Sequence, residues 1–225
     1  MSFILFASAI LWPVGLPMLA FSSLAKCDFS SRISAGFGFF HTQISFFFAY
    51  YCKLIYEVSI NFTDREIKFL KVLASGRHYL KDIVKPNRQS VARWGNTQEQ
   101  ADMLGVMGEY AVAKYLGLPF DTSINLDGDG GETDLMLGYY NIQVKSTKYK
   151  TGRLVFNNLK EIIADLFVLC YCSEPEMSVE ILGYIKKEEI KNVSELKDLG
   201  YGLRIVVEQR HLLPIADLNQ LDKSL

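Results

Sequence analysis

Asp134, Gln143 and Lys145 are the residues whose types and spacing suit chemistry, with Glu109 a fourth candidate upstream. The first three lie within Gly130 to Lys150, where two runs of strand formers flank Gly138-Tyr139. Glycine at the first loop position suits a two-residue hairpin with a type II′ turn. That turn predicts the pairs Leu137–Tyr140, Met136–Asn141, Leu135–Ile142 and Asp134–Gln143. Directly opposed residues share a face, and side chains alternate along a strand. One face then carries Asp134, Gln143 and Lys145, and the other Leu135, Ile142 and Val144. An acid and an amide oxygen can hold a hard cation, and an ammonium beside them can steady developing negative charge. The plainer reading of the same cluster is a solvated hairpin face with one Asp–Lys contact.

A helix must deliver Glu109. Gln98 to Leu116 is rich in Ala, Leu, Met and Glu, and Gly117-Leu118-Pro119 stops it. The helical neighbours of Glu109 are Gly105, Val106, Val112 and Ala113, a small apolar face. A carboxylate there is costly unless something pairs with it. It is either an acid at the edge of the stripe reaching solvent, or a metal ligand or partner of Lys145. Upstream, Thr63 and Glu66 form a capping-box pattern, with Ile67, Leu70, Leu73 and Ala74 at helical spacing and Gly76 as the expected stop.

The order of types, Asp134 and then Gln143-Val144-Lys145 on the next strand, resembles the PD-(D/E)xK nuclease superfamily in its Gln-x-Lys variant. Holliday-junction-resolvase-like and homing-endonuclease-like branches carry that form. Gly108-Glu109-Tyr110-Ala111 resembles the superfamily's helical acid motif. Gln143 departs from the usual Asp or Glu and removes one negative charge, yet an amide oxygen remains a ligand that Mg²⁺ accepts. The resemblance covers about Met103 to Ile185. It implies an α/β fold, a small mixed β-sheet flanked by helices with a restriction-endonuclease-like core. It also implies Mg²⁺, with Mn²⁺ as a substitute, held by Glu109, Asp134, Gln143 and the Val144 carbonyl. Lys145 completes the catalytic set, and DNA is the partner. The alternative is a nuclease fold retained as a DNA-binding or membrane-tethered module without catalysis. Junction cutting would call for a homodimer, for which no stretch of sequence identifies an interface.

The surroundings are compatible with a local nucleic-acid surface only. The 225-residue chain has a net charge of −1, so it is no polycation. Residues 61–100 hold eight Lys/Arg against four Asp/Glu, with Tyr79 and Trp94 interleaved. Arg88 and Arg93 there, and Lys148, Lys150 and Arg153 after the hairpin, are candidate phosphate contacts; the competing reading is ordinary solvated surface. Asn125 to Gly130 partly mimics a calcium loop, but Met136 stands where a bidentate Glu is required, so that reading fails. Glu132 is a reserve acid for the site. Cys27, Cys52, Cys170 and Cys172 lack zinc-site spacing with His41, His78 and His211, and the CxC pair sits in an apolar run as small hydrophobes.

The remaining segments set the domain plan: 1–60 a hydrophobic extension, 61–100 a basic helical lead-in, 101–225 the α/β domain. Residues 1–25 and 33–52 carry no Asp, Glu, Lys or Arg, and each run reaches the roughly 20 residues that span a bilayer. Three readings stay open: a membrane hairpin within residues 1–55, a signal peptide, or a stretch foreign to the natural protein. Localisation follows: cytoplasmic, and membrane-anchored if the extension is genuine. Downstream, Leu154–Phe156 suggests a strand, 158–164 a helix, 165–172 a central strand and 179–185 another. Residues 186–199 suggest one or two short helices, 203–207 a last strand, and 212–215 a tail that packs back.

Overall fold

The computed structural model describes residues 58–84, 97–124 and 133–221. The chain is mixed α/β. A five-stranded sheet has the order β1-β6-β5-β3-β2. Its strands are β1 (Val58–Asn61), β2 (Leu135–Leu137), β3 (Tyr140–Thr147), β5 (Leu166–Ser173) and β6 (Ser178–Lys186). Only β3 and β5 run parallel; the other neighbours are antiparallel. A second sheet, in the order β4-β8-β7, consists of β4 (Leu154–Phe156), β7 (Glu195–Asp198) and β8 (Leu203–Val207). β5 is the middle strand of the larger sheet, as its apolar run requires, and both its faces are covered.

Two helices cover one face of the larger sheet. The first, α1 (Asp64–Val84), opens on the expected box: Glu66 Oε2 accepts from the Thr63 N–H at 2.8 Å, and the Thr63 hydroxyl accepts from the Glu66 N–H. Gly76 does not end it. A Cβ at Gly76 would lie 2.6 Å from Ile124 Cδ1, so the glycine admits a neighbouring side chain while the helix continues. The second, α2 (Gln98–Leu116), has the predicted limits, with a Thr97/Gln100 capping box and Gly117 left-handed at φ 68°. Leu70, Leu73 and Ala74 of α1 share one core with Met103, Met107, Ala111 and Val112 of α2 and with Ile142, Val144, Val168 and Cys170 of the sheet.

The opposite face is closed by the smaller sheet. Phe156 of β4 meets Phe167 of β5 edge-on at 5.0 Å, and Leu154, Ile185, Ile190 and Val207 complete that core. Two elements differ from expectation. Residues 158–164 form no crossover helix; a 3₁₀ turn at Leu159–Glu161, capped by Asn158, leads Ile162 and Ala164 into this second core. After α3 (Lys187–Val193) the chain forms β7, not a further helix, because Glu195–Asp198 pairs with Leu203–Val206. The tail packs back as expected: Leu213 and Tyr184 exchange backbone hydrogen bonds at 2.7 and 2.9 Å, and Ile215 is buried.

Candidate functional site

The hairpin has the predicted register, with Leu137 opposite Tyr140, Met136 opposite Asn141 and Leu135 opposite Ile142. Gly138 adopts φ 57° at the first turn position, and Tyr139 is not in the positive-φ region, as a type II′ turn demands. The ladder does not run on to an Asp134–Gln143 pair. The Asp134 N–H donates to the Ile142 carbonyl at 3.0 Å, one residue out of register. Its carboxylate Oδ2 accepts from the Val144 N–H at 2.6 Å. The acid therefore takes the place of a strand at the point where β2 ends, closing a backbone donor that would otherwise be open.

Alternation along β3 then decides what can meet what. Gly108 of α2 lies so near β3 that an added Cβ would stand 2.1 Å from Ser146 Oγ and 3.4 Å from Val144 Cγ1. The even residues Ile142, Val144 and Ser146 thus face α2. Gln143 and Lys145 leave the strand on the other face, in register with Phe167 and Leu169 of β5. They share a face with each other, as predicted. Glu109, on α2, rises from the opposite side of β3, so any meeting with Lys145 has to pass around the sheet edge where β2 stops.

Each of the candidate side chains has a distinct environment. The Gln143 Oε1 atom is buried and accepts no hydrogen bond from the described residues. Lys145 is half-buried and makes no hydrogen bond or ion pair with the described residues. Glu109 Oε2 accepts from Arg77 Nη1 at 2.9 Å, with both side chains largely buried. Arg77 also donates to the carbonyls of Asp121 at 2.8 Å and Ser123 at 3.4 Å, tying α1, α2 and the following loop together. Sequence reading missed Arg77. Its signal was its place seven residues after Leu70 and three after Ala74, on the buried stripe of α1.

The basic loop after β3 is held in shape and partly neutralised. Gln209 Nε2 donates to the carbonyls of Lys150 and Gly152 at 2.6 and 2.8 Å. Arg153 Nη1 lies 3.3 Å from Glu208 Oε1, and Lys150 Nζ lies 3.7 Å from Glu180 Oε2 and over the Tyr171 ring. Lys148 Nζ sits over the exposed Tyr149 ring. Arg88, Arg93, Glu132, residues 125–130 and the whole of 1–57 lie outside the described residues. Among those described, no three His, Cys, Asp or Glu side chains group to hold a metal ion, and no helix is long and apolar enough to cross a membrane. Cys170 and Cys172 are buried free thiols, and burial pushes Cys172 up to about 12, in keeping with small core residues. A cleft of about 420 Å³ between α1, the start of α2 and the β5–β6 turn is lined by none of the candidate residues.

No protein-family model matches the chain, and a search of curated proteins finds no relative.

Proposed function

We propose that the chain is a metal-dependent DNA endonuclease of the PD-(D/E)xK type, with a restriction-endonuclease-like core formed by α2, the β2–β3 hairpin and β5. The observation carrying this reading is the Gln143 carbonyl oxygen, buried with no donor among the described residues and two residues from Lys145, which pairs with none of them. A buried orphan acceptor costs about 1–3 kcal/mol, and a hard cation is one partner that would remove that cost. On this atom the donor set fits Mg²⁺ or Mn²⁺. Asp134 and Gln143 would hold the ion, with the Val144 carbonyl as a further oxygen; Glu109 would join only by giving up Arg77.

The ion, when bound, supplies a water of lowered pKa and offsets charge on the phosphate. The chain's own residues do the rest. The Val144 N–H fixes the Asp134 carboxylate by a short charge-assisted bond. Lys145, on the Gln143 face, orients the attacking water and steadies the negative charge of the transition state. Lys148, Lys150 and Arg153 take phosphates of the strand by exchanging their present partners.

The second reading, a non-catalytic DNA-binding or membrane-tethered module, draws on the Glu109–Arg77 pair, which satisfies the helical acid without any ion. Plasmid nicking by the full chain in Mg²⁺ and in Mn²⁺ separates the two. Lys145→Ala is expected to lower nicking at least about a hundredfold, the scale of one lost charge stabiliser. Nicking that survives the substitution overturns the catalytic assignment. DNA binding by the unaltered chain without nicking in either metal selects the module.

A further inference from the structure

The outer face of α1 carries apolar side chains at the spacing of a helix-pairing seam. Phe69, Val72, Tyr79 and Ile83 follow steps of three, seven and four, and are 38%, 70%, 67% and 56% exposed. The missing member of the 3-4-3-4 series is Gly76. Its place is filled from outside the helix by Ile124, itself 43% exposed, whose Cδ1 packs onto the glycine. The stripe is therefore continuous from Phe69 to Ile83, about 21 Å of helix at 1.5 Å per residue. A stripe of this period packs against another helix at a shallow crossing angle.

The charges beside the stripe select the partner. Lys68 and Asp82 stand seven residues either side of Ser75, on the same flank, and both are exposed. Asp82 leans on His78 Nε2 at 3.2 Å. In a second copy laid parallel this flank falls on the far side of the seam from its own counterpart, so Lys68 and Asp82 of the two copies do not meet. A copy laid antiparallel, about a two-fold axis near Ser75, opposes Lys68 to Asp82 twice. A self-complementary patch of this kind is what a two-fold interface requires.

We infer that the chain forms a homodimer through the α1 stripe, with its α1 helices antiparallel. This stands apart from the nuclease reading, and its test uses no DNA. The mass of the full chain is measured by sedimentation equilibrium in a mild detergent. Dimer is expected, and Val72→Asp and Lys68→Glu should each weaken association at least about tenfold. Lys68→Glu combined with Asp82→Lys should restore it, while Leu196→Asp on the remote β7 strand should leave it unchanged. Ser75→Cys, in a Cys27→Ser/Cys52→Ser background, should cross-link to its own copy under mild oxidation. A monomer at every concentration, a dimer indifferent to Val72→Asp, a charge reversal that fails to restore, or absent cross-linking each overturns the inference. So does a Val72→Asp chain of unchanged mass that loses affinity for phosphatidylserine vesicles, which would make the stripe a lipid-facing surface.

Discussion

Gln143 and Glu109 are polar groups in apolar settings that resolve differently. Glu109 finds Arg77, 32 residues away in sequence, and the pair is complete within the chain. Gln143 finds no donor for its Oε1 among the described residues. If that oxygen is kept for a ligand, replacing it should help the empty protein and harm the loaded one. Gln143→Met is expected to raise unfolding free energy in EDTA by about 1 kcal/mol, the relief of a buried orphan acceptor. It should also remove any rise in Tm that Mg²⁺ produces in the unaltered chain, since only ligands that bind the folded state stabilise it. Thermal melts with and without Mg²⁺ check both. A destabilised Gln143→Met, or a Mg²⁺ response that persists, would place the ion elsewhere. The unpaired acceptor was not readable from sequence, because Gln143 looks the same on a strand whether its neighbour is a donor or Phe167.

At the scale of elements, the close pairing of α2 with β3 determines which residues stand on which face. Gly108 stood in the sequence only within Gly108-Glu109-Tyr110-Ala111, and its reason is visible in space: an added Cβ would meet Ser146. Gly108→Val should push the helix off the strand and cost about 1–3 kcal/mol, the usual penalty of overpacking. Chemical denaturation measures it, and Ser146→Ala in the same chain should recover part of the loss by removing the Oγ that the new side chain meets. An unchanged midpoint for Gly108→Val would mean that the helix and strand are not in contact there. Gly76 shows the limit of local rules. A glycine inside a helical pattern reads as a stop, yet here it makes room for Ile124, a residue whose position depends on Arg77 holding the loop carbonyls of Asp121 and Ser123.

At the scale of the molecule, stability depends on the helical layer staying attached, and Glu66, like Asp102 and Glu109, is a carboxylate that joins its two helices. Glu66 of α1 accepts from the Tyr110 hydroxyl at 2.8 Å and Lys114 Nζ at 2.7 Å, both on α2, besides capping its own helix. Burial pushes its carboxyl upward, but the Lys114, Thr63 and Tyr110 donors outweigh it and bring it from 4.5 down to about 2. A group depressed in the folded state stabilises that state above its unfolded pKa, and the contribution fades as pH falls through the folded value. The chain should therefore lose stability between about pH 4.5 and pH 2. Glu66→Gln should be less stable at pH 7 and should flatten that slope, as read from urea midpoints across the range. A variant with the unaltered slope would show that other carboxylates govern acid unfolding.

Local rules were sufficient where the physics is local. The capping box of α1, the Gly117 stop of α2, the hairpin register, the apolar middle strand β5 and the returning tail follow from turn chemistry, capping and periodicity. Residues 158–164 and 195–198 escaped because short polar segments take their form from what they pair with. The hydrophobic pattern of β3 showed which residues share a face, but not which layer covers that face. That depended on Gly108 admitting Ser146, a contact between residues 38 apart in the sequence. Tertiary packing alone put Gln143 and Lys145 opposite the smaller sheet, gave Glu109 to Arg77 and left the Gln143 amide oxygen without a donor among the described residues. Alternation is a property of one chain segment, whereas burial and pairing are properties of two.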